Sequence, residues 1–474
     1  MSTPEEGPTP TAPGDDRTYA EALAAIEARG RFGIRLGLGR VRALLHAMGD
    51  PERSVNGALV AGTNGKGSVI ALAGSALRAA GYRVGETPKP HLVTYRERIV
   101  VDGRPIEAAT FARLVGEAIP AADRIARRLG APTEFELLTA VMFRHFAEAD
   151  LDVALVEVGL GGRLDATNAW DGGVAVLTNV GLDHTDRLGP TIAAIAREKA
   201  AIVKHGDVAV TGTDGEALAI LRRRCARLRV PLTVAPPPPV LGWNRDALRV
   251  DLPGLGPVDV GLRGRHQAAN AAVADALLDA LSAAGIATVP AEARRRGYAT
   301  ATWAGRLELV TAPGGREVLL DGAHNPDGAA ALATALLELR PYLAGGGEQP
   351  PAPLTLVWAS MADKDVDGVL RAIAASPALA GATVVCTSLD LPRALPADAL
   401  AAAWRAALPD VEALVAPDAG AALDLALLTG SGPVVVAGSL YLVGAMRALL
   451  VDDPLLVDDP LLAGDPLLAG DVAG

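Results

Sequence analysis

The sequence predicts an α/β protein of two domains. Two observations predict it. Short apolar runs of strand length alternate with longer Ala- and Leu-rich stretches of helical length through most of the 474 residues. This strand–helix series breaks off near residue 300 and restarts after Arg306. Alternation of this kind implies mostly parallel sheets with helices on both faces.

Residues 1–16, rich in Pro, Thr, Gly and acid, read as a disordered leader. Residues 18–48 read as helices broken near Gly30 and at Gly37–Gly39. The run 57–62 is a strand entering a Gly-rich turn, and 68–80 a helix. A helix is expected over 135–148, strands over Val153–Val158 and Val174–Asn179, a helix over 190–203 and a strand over Asp207–Thr211. The stretch 231–262 carries Pro236–Pro239 and short segments between Gly and Pro, and reads as a small antiparallel excursion. Helical patterning resumes at 267–284 and 290–298. The second series has strands near 307–311, 316–320, 354–359, 382–386 and 433–437, with helices over 327–340, 366–378, 397–407, 418–429 and 440–450. By composition, Gly345–Pro353 is a flexible surface loop. The expected division is a leader (1–16), an N-terminal domain (17–299), a C-terminal domain (300–450) and a low-complexity tail (451–474). In the tail Asp-Pro-Leu-Leu recurs at 453–456, 459–462 and 465–468.

Composition narrows the function classes. A formal net charge of -11 disfavours a large nucleic-acid surface, which needs clustered Lys and Arg, while leaving room for anionic small ligands. Cys225 and Cys386 lie far apart and form no CxxC pair, so neither a disulfide framework nor a cysteine zinc site is expected. No signal-peptide pattern and no run of 18 or more apolar residues is present, so the expectation is a soluble cytoplasmic protein without a membrane partner.

The most informative segment is Gly62-Thr63-Asn64-Gly65-Lys66-Gly67-Ser68, between the strand and the helix. Such a turn aims successive backbone N–H groups at phosphate oxygens, and the helix adds its positive end. Lys66 can reach the outer phosphates, and Ser68 can support phosphate or magnesium. Val60 and Gly67 stand where the standard pattern has Gly and Ser or Thr, so a rigid motif search misses it. The plainer alternative is an ordinary Gly-rich turn. The fold class is therefore a mostly parallel-sheet phosphate-loop ATPase domain followed by a smaller Rossmann-like α/β domain.

Carboxylates and imidazoles cluster at strand ends. Glu157 closes an apolar strand just before Gly159–Gly162; a carboxylate there needs a cation or hydrogen-bond donors, and Mg²⁺ suits its oxygens. Asn179, Asp183 and His184 follow the next strand. Lys199 sits in Arg-Glu-Lys-Ala on an expected helix, where a solvent-facing lysine is the plainer reading. His324 and Asn325 follow the strand 316–320 and could close over a nucleotide; His266, Gln267 and Asn270 open another helix.

Together these segments resemble the folylpolyglutamate synthase and dihydrofolate synthase family of the Mur ligase superfamily, over roughly 18–449. The resemblance rests on the segment 62–68, His-Leu-Val-Thr-Tyr-Arg-Glu-Arg-Ile at 91–99, Thr-Glu-Phe-Glu at 133–136, and the stretches 156–168 and 178–184. It continues through Gly-Arg-His-Gln at 264–267, Gly-Arg-Leu-Glu at 305–308, Asp-Gly-Ala-His-Asn-Pro at 321–326, Ala-Asp-Lys-Asp at 362–365, Pro-Arg-Ala-Leu at 392–395 and Gly-Ser-Leu-Tyr at 438–441. It implies a monomeric, ATP- and Mg²⁺-dependent ligase of folate biosynthesis. Such an enzyme phosphorylates a pteroate or folate carboxylate and joins it to the amine of L-glutamate. By resemblance Glu157 and His184 hold magnesium, with Ser68 assisting, and Lys199 matches a lysine that becomes a carbamylated metal ligand. Asn270, Arg306, Asp321 and His324 match nucleotide-contacting positions. The family commonly has Thr-Ser-Pro where this chain has Pro88-Lys89-Pro90, so Lys89 stands in place of a metal-binding serine. Ala201 replaces a frequent glycine. A Mur-type ligase acting on a cell-wall precursor, a phosphate-loop ATPase or switch, and a non-catalytic nucleotide-binding protein are the competing readings.

Overall fold

A computed structural model describes residues 18–30, 35–344 and 351–451. The expected leader 1–16, residues 345–350 of the expected loop and the tail beyond Val451 lie outside the described residues.

The first sheet has eight strands in the spatial order Arg104–Pro105, Val100–Val101, Val84–Thr87, Val153–Glu157, Gly57–Ala61, Gly173–Leu177, Val208–Thr211 and Leu232–Val234. From Val84–Thr87 onward every pairing is parallel; the two short edge strands pair antiparallel. The central strands are continuous apolar runs because both faces are covered. Leu59, Ala61, Ala154 and Val156 face a core shared with the helices Tyr19–Gly30, Gly39–Ala47, Ala108–Leu129 and Glu134–Glu148. Ala58, Val60, Val153 and Leu155 face the opposite core, built on Lys66–Ala79, Gln267–Ala283 and Ala291–Thr300. A one-residue slip would exchange the two sets, so this alternation fixes the register. Each fully buried leucine or valine adds about 1.5–3 kcal/mol.

The strand order reverses around Gly57–Ala61, which opens a crevice at the carboxyl ends of the strands, where open α/β sheets bind ligands. Thr191 caps the helix Ile192–Ala200, its Oγ1 accepting from the N–H of Ala194 at 3.2 Å, and so aims Lys199 at that crevice. Thr133 and Glu136 form a reciprocal capping box that starts Glu134–Glu148.

The second domain holds a six-stranded sheet in the order Glu308–Thr311, Glu317–Leu320, Val434–Ala437, Thr355–Trp358, Thr383–Thr387 and Glu412–Ala416. The first pair is antiparallel and the rest parallel. Here too the faces are covered on both sides.

Two of the sequence readings change. Leu232–Val234 joins the main sheet in parallel; the antiparallel excursion is the later sheet Val240–Trp243, Leu248–Leu252 and Gly256–Val260. Its middle strand alternates buried Leu248, Val250 and Leu252 with exposed Arg249 and Asp251. The end of the strand Val240–Trp243 and the loop after it reach the second domain: Trp243 Nε1 donates to the carbonyl of Glu338 at 2.9 Å, and Arg245 pairs with Glu317 at 2.6 Å. Asn325, grouped with His324 in the sequence reading, caps the helix Pro326–Leu339, its Oδ1 accepting from Gly328 N–H at 2.8 Å. No helix among the described residues is long and apolar enough to cross a membrane.

Candidate active site

The segment 62–68 is a turn whose shape depends on close neighbours. Gly65 takes φ 81° as the residue before the helix Lys66–Ala79, and a Cβ there would run into Asn270 Oδ1. A Cβ at Gly67 would run into the Trp303 ring. Asn270 is held by Gln267, whose Oε1 accepts from Asn270 Nδ2 at 2.8 Å. The loop is pinned to the neighbouring strand end: Thr178 Oγ1 donates to the carbonyl of Asn64 at 2.6 Å, and Asn64 N–H donates to Asn179 Oδ1 at 2.8 Å. Thr63 N–H donates to the carbonyl of Asn179 at 3.1 Å. Ser68 lies buried in the helix's first turn.

Three lysines converge above this loop. Lys66 Nζ donates to the carbonyls of Gly62 and Thr63, each at 3.1 Å, and lies 3.9 Å from Glu157 Oε1. Lys199 Nζ donates to the same Gly62 carbonyl at 2.8 Å. Only 6% of Lys199 is exposed, which rules out the solvent-facing alternative. Burial, with the charge of Lys66, pushes its amine down to about 7, against the pull of Asp183 and Asp165. Lys89 Nζ donates to the carbonyl of Glu157 at 2.7 Å and stands 4.2 Å from the centre of the Phe135 ring. Burial pushes it down to about 8, against Asp165 and Glu157. Glu157 is buried, and burial raises its carboxyl despite Lys66 and Lys89.

Gly62, Thr63, Lys66, Gly159–Gly161, Asp183, His184 and Lys199 line one cleft. Asp165 shapes its rim, accepting from Leu160 N–H at 2.8 Å and Thr167 N–H at 3.0 Å. His184 takes a left-handed backbone, φ 49°, which brings its N–H to Asp183 Oδ1 at 2.8 Å. Burial lowers the His184 imidazole, and the charge of Lys364, from the second domain, lowers it further.

The second domain thus faces the cleft. Asp321 accepts from Leu307 N–H at 3.0 Å and Ala323 N–H at 2.9 Å, and burial raises its carboxyl against the field of Arg306. His324 Nδ1 lies 2.7 Å from the carbonyl of Gly322, which assigns the proton to that nitrogen. Burial lowers the His324 imidazole; Lys364 and Arg306 lower it further, and Asp183 across the cleft opposes them. Arg306 lies over Gly322 and acts electrostatically on Glu157, His266, Asp321 and His324.

Comparison with known proteins decides between the readings. Residues 60–235 match the Mur ligase middle domain and residues 305–440 the Mur ligase glutamate ligase domain. The chain is 36% identical over 467 residues to a Mycobacterium tuberculosis dihydrofolate synthase/folylpolyglutamate synthase, covering 88% of this chain and 90% of that protein. It is 33% identical to a Lacticaseibacillus casei folylpolyglutamate synthase, over 91% of this chain and 99% of that one. The chain belongs to the folylpolyglutamate synthase/dihydrofolate synthase family. The solved M. tuberculosis folylpolyglutamate synthase complexed with ADP and AMPPCP superposes with a TM-score of 0.78 at 34% identity, covering 92% of this chain and 100% of that one. An Escherichia coli FolC complexed with DHPP and ADP gives 0.76 at 30%, covering 92% of this chain and 98% of that one. As a member of this family the chain is an ATP-dependent acid–amino-acid ligase.

The donor chemistry around the cleft suits a family magnesium site only in part. Ser68 and Glu157 offer oxygens, but among the described residues no three His, Cys, Asp or Glu side chains form a metal-binding group. A protonated lysine has no lone pair for a metal. A Lys199 amine titrating near 7 holds a neutral fraction that can react with CO₂, and the resulting carbamate would supply the missing anionic oxygens. With that change the residues fit.

Sequence reasoning missed two contributors. Trp303 packs on Gly67 from the segment joining the domains, and an isolated aromatic carries no pattern that would single it out. Lys364 sat inside a quoted motif, yet only the docking of the two domains brings its charge to bear on His184 and His324.

Proposed function

We propose that this chain phosphorylates the carboxylate of dihydropteroate, of a reduced folate or of both at the cleft between its domains, and that the amine of L-glutamate then displaces phosphate to form the amide. The convergence of Lys66, Lys199, His184 and Glu157 beside a phosphate-type loop, with Arg306, His324 and Lys364 presented from the second domain, supports this reading.

A triphosphate and a carboxylate repel each other, and the chain's own groups offset that repulsion. The N–H groups of residues 62–68 and the amino end of the following helix cradle the phosphates, and Lys66 neutralises the outer ones. Asn270, Arg306, Asp321 and His324 orient the nucleotide between the domains. Ser68, Glu157, His184 and carbamylated Lys199 would hold magnesium, which when bound draws charge off the transferring phosphoryl group. Closure of the domain 300–450 on the domain 17–299 keeps water from an acyl phosphate that would otherwise hydrolyse. A cytoplasmic monomer completes the proposal, with small molecules as its partners.

The test is ligation by the full chain with ATP, Mg²⁺ and L-glutamate, offering dihydropteroate and tetrahydrofolate in separate reactions and identifying products by mass. An amide product dependent on all three is expected. Glutamate-independent ATP turnover without an amide product rejects the reading.

A further inference from the structure

Leu307 directly follows Arg306, and its backbone is left-handed, φ 46°. Among the described residues, six other than glycine take a positive φ. Three of them are aspartates, which tolerate this region; Leu307 is the one aliphatic residue of the six, and its side chain is 1% exposed. Such a backbone is unfavourable for leucine and persists only where neighbours over-determine it. Here those neighbours come from both domains. The Leu307 N–H donates to Asp321 Oδ2 at 3.0 Å, within the second domain. The Leu307 carbonyl accepts from Nη1 of Arg263, a first-domain residue, at 3.2 Å. Arg263 is itself fixed: its Nε donates to the carbonyl of Arg245 at 2.7 Å, and its Nη2 lies 3.6 Å from Asp246 Oδ1. On the other side of Arg306, Gly305 also takes a positive φ, 64°. Its N–H donates to Glu308 Oε2 at 2.8 Å, and its carbonyl accepts from Gly322 N–H at 2.8 Å. Arg306 therefore stands between two left-handed residues whose backbone groups are fastened, with its guanidinium over Gly322 and its charge felt by Glu157 in the first domain.

We propose that Leu307 is a positioning residue of the ligase: clamped in its left-handed backbone between Asp321 of the second domain and Arg263 of the first, it aims Arg306 at the nucleotide. A leucine released from the clamp relaxes to negative φ, and the chain before it, with Arg306, turns away. Arg263 does not line the cleft, so it acts on the reaction through Leu307 alone. Because Arg263 and Leu307 belong to different domains, their bond exists only when the domains are docked. Arg306 is then placed in the docked arrangement and in no other.

This inference rests on the proposed role of Arg306 at the nucleotide, and the experiment separates the two. The kcat/KM for ATP in ligation is measured for the full chain and for Arg263→Ala, Leu307→Gly, the double variant and Arg306→Ala, each at a temperature where its own melt shows it folded. Releasing the clamp leaves the left-handed form a minority, so Arg263→Ala should lower kcat/KM roughly tenfold. Glycine takes this backbone about as readily as the right-handed one, so in the Leu307→Gly background the same substitution should lower it by about twofold or less. An Arg263 that only braces the fold would cost the same in both backgrounds, because Leu307→Gly restores none of its other bonds. Leu307→Asn, which also visits this region, takes the place of the glycine variant should that fail to fold. Near-wild-type kinetics in Arg263→Ala, or an equal loss in both backgrounds, overturns the inference. If Arg306→Ala keeps wild-type kinetics, the proposed reading of Arg306 is wrong and this inference falls with it. A loss in Arg306→Ala without one in Arg263→Ala removes the clamp alone.

Discussion

The two domains meet along a seam with two unlike ends. At the strap formed by the antiparallel sheet and its flanking loops, each arginine has found a carboxylate. Arg245 pairs with Glu317 at 2.6 Å, Arg265 pairs with Glu338 at 2.7 Å and lies over the Trp243 ring, and Trp243 Nε1 is bonded to the backbone of Glu338. At the cleft, the ammonium groups of Lys66, Lys89 and Lys199 donate to main-chain carbonyls instead, and burial depresses the amines of Lys89 and Lys199. The strap has its charges balanced within the protein. The cleft leaves its lysines on backbone carbonyls, where an anionic ligand can take them up. One end holds the domains in orientation, and the other is arranged for binding.

Substitutions can sharpen this contrast, and the largest effect belongs to the cleft. Lys66→Ala removes the amine nearest the expected outer phosphates and should lower kcat for ligation by about 10²–10³-fold, with a far smaller change in melting temperature. If activity stays near wild type, the triphosphate lies elsewhere. Gly65→Ala places a Cβ against Asn270 in a left-handed backbone, at a cost of about 1–2 kcal/mol, and nucleotide titration should show affinity lost by about tenfold. Asn270→Ala in the same chain should recover part of the lost stability in a thermal melt, since the steric obstacle goes while the backbone strain stays.

Lys199 gives a pH signature. Its ammonium is pushed from the ordinary 10.5 to about 7 in the folded chain. Between those values the unfolded chain holds a proton that the folded chain has released. The stability contributed by this group therefore rises with pH from about 7 to about 10.5, and its burial penalty is complete below 7. Denaturant melts across this range should lose that rise in Lys199→Met, a difference on the order of a few kcal/mol between its two ends. The smallest effect belongs to the strap: Arg265→Ala should cost about 0.2–1 kcal/mol, shrink at high salt and leave ligation kinetics unchanged. A large kinetic effect would show that the two ends of the seam are not independent.

Most of this architecture is legible in the sequence because buried parallel strands are unbroken apolar runs. Gly57–Ala61, Val153–Glu157 and Thr355–Trp358 carry their assignment in their own residues. The strand Val84–Thr87 does not, because Gly85 and Glu86 interrupt the apolar pattern; Glu86 is tolerated there because Arg78 pairs with it. Edge strand Glu412–Ala416 is half exposed and mixed in pattern, and helix Ala108–Leu129 carries Pro120 in its interior, a residue that ordinarily marks a break. The site divides in the same way. Lys66 and Ser68 follow from a local pattern. Lys199 and Lys89 take their character from burial, and burial is a property of the assembled domains.

Trp303 has a consequence of its own. It belongs to the segment that joins the domains, yet its ring rests on Gly67 of the phosphate loop, while Trp170, Trp358 and Trp404 are enclosed in the cores. An indole set between the inter-domain segment and the proposed nucleotide loop is a natural chromophore for ligand binding and for any closure of the domains. Its emission would register loop occupancy and domain rotation without any attached dye, and the turnover cycle of this ligase would be visible in its own ultraviolet fluorescence.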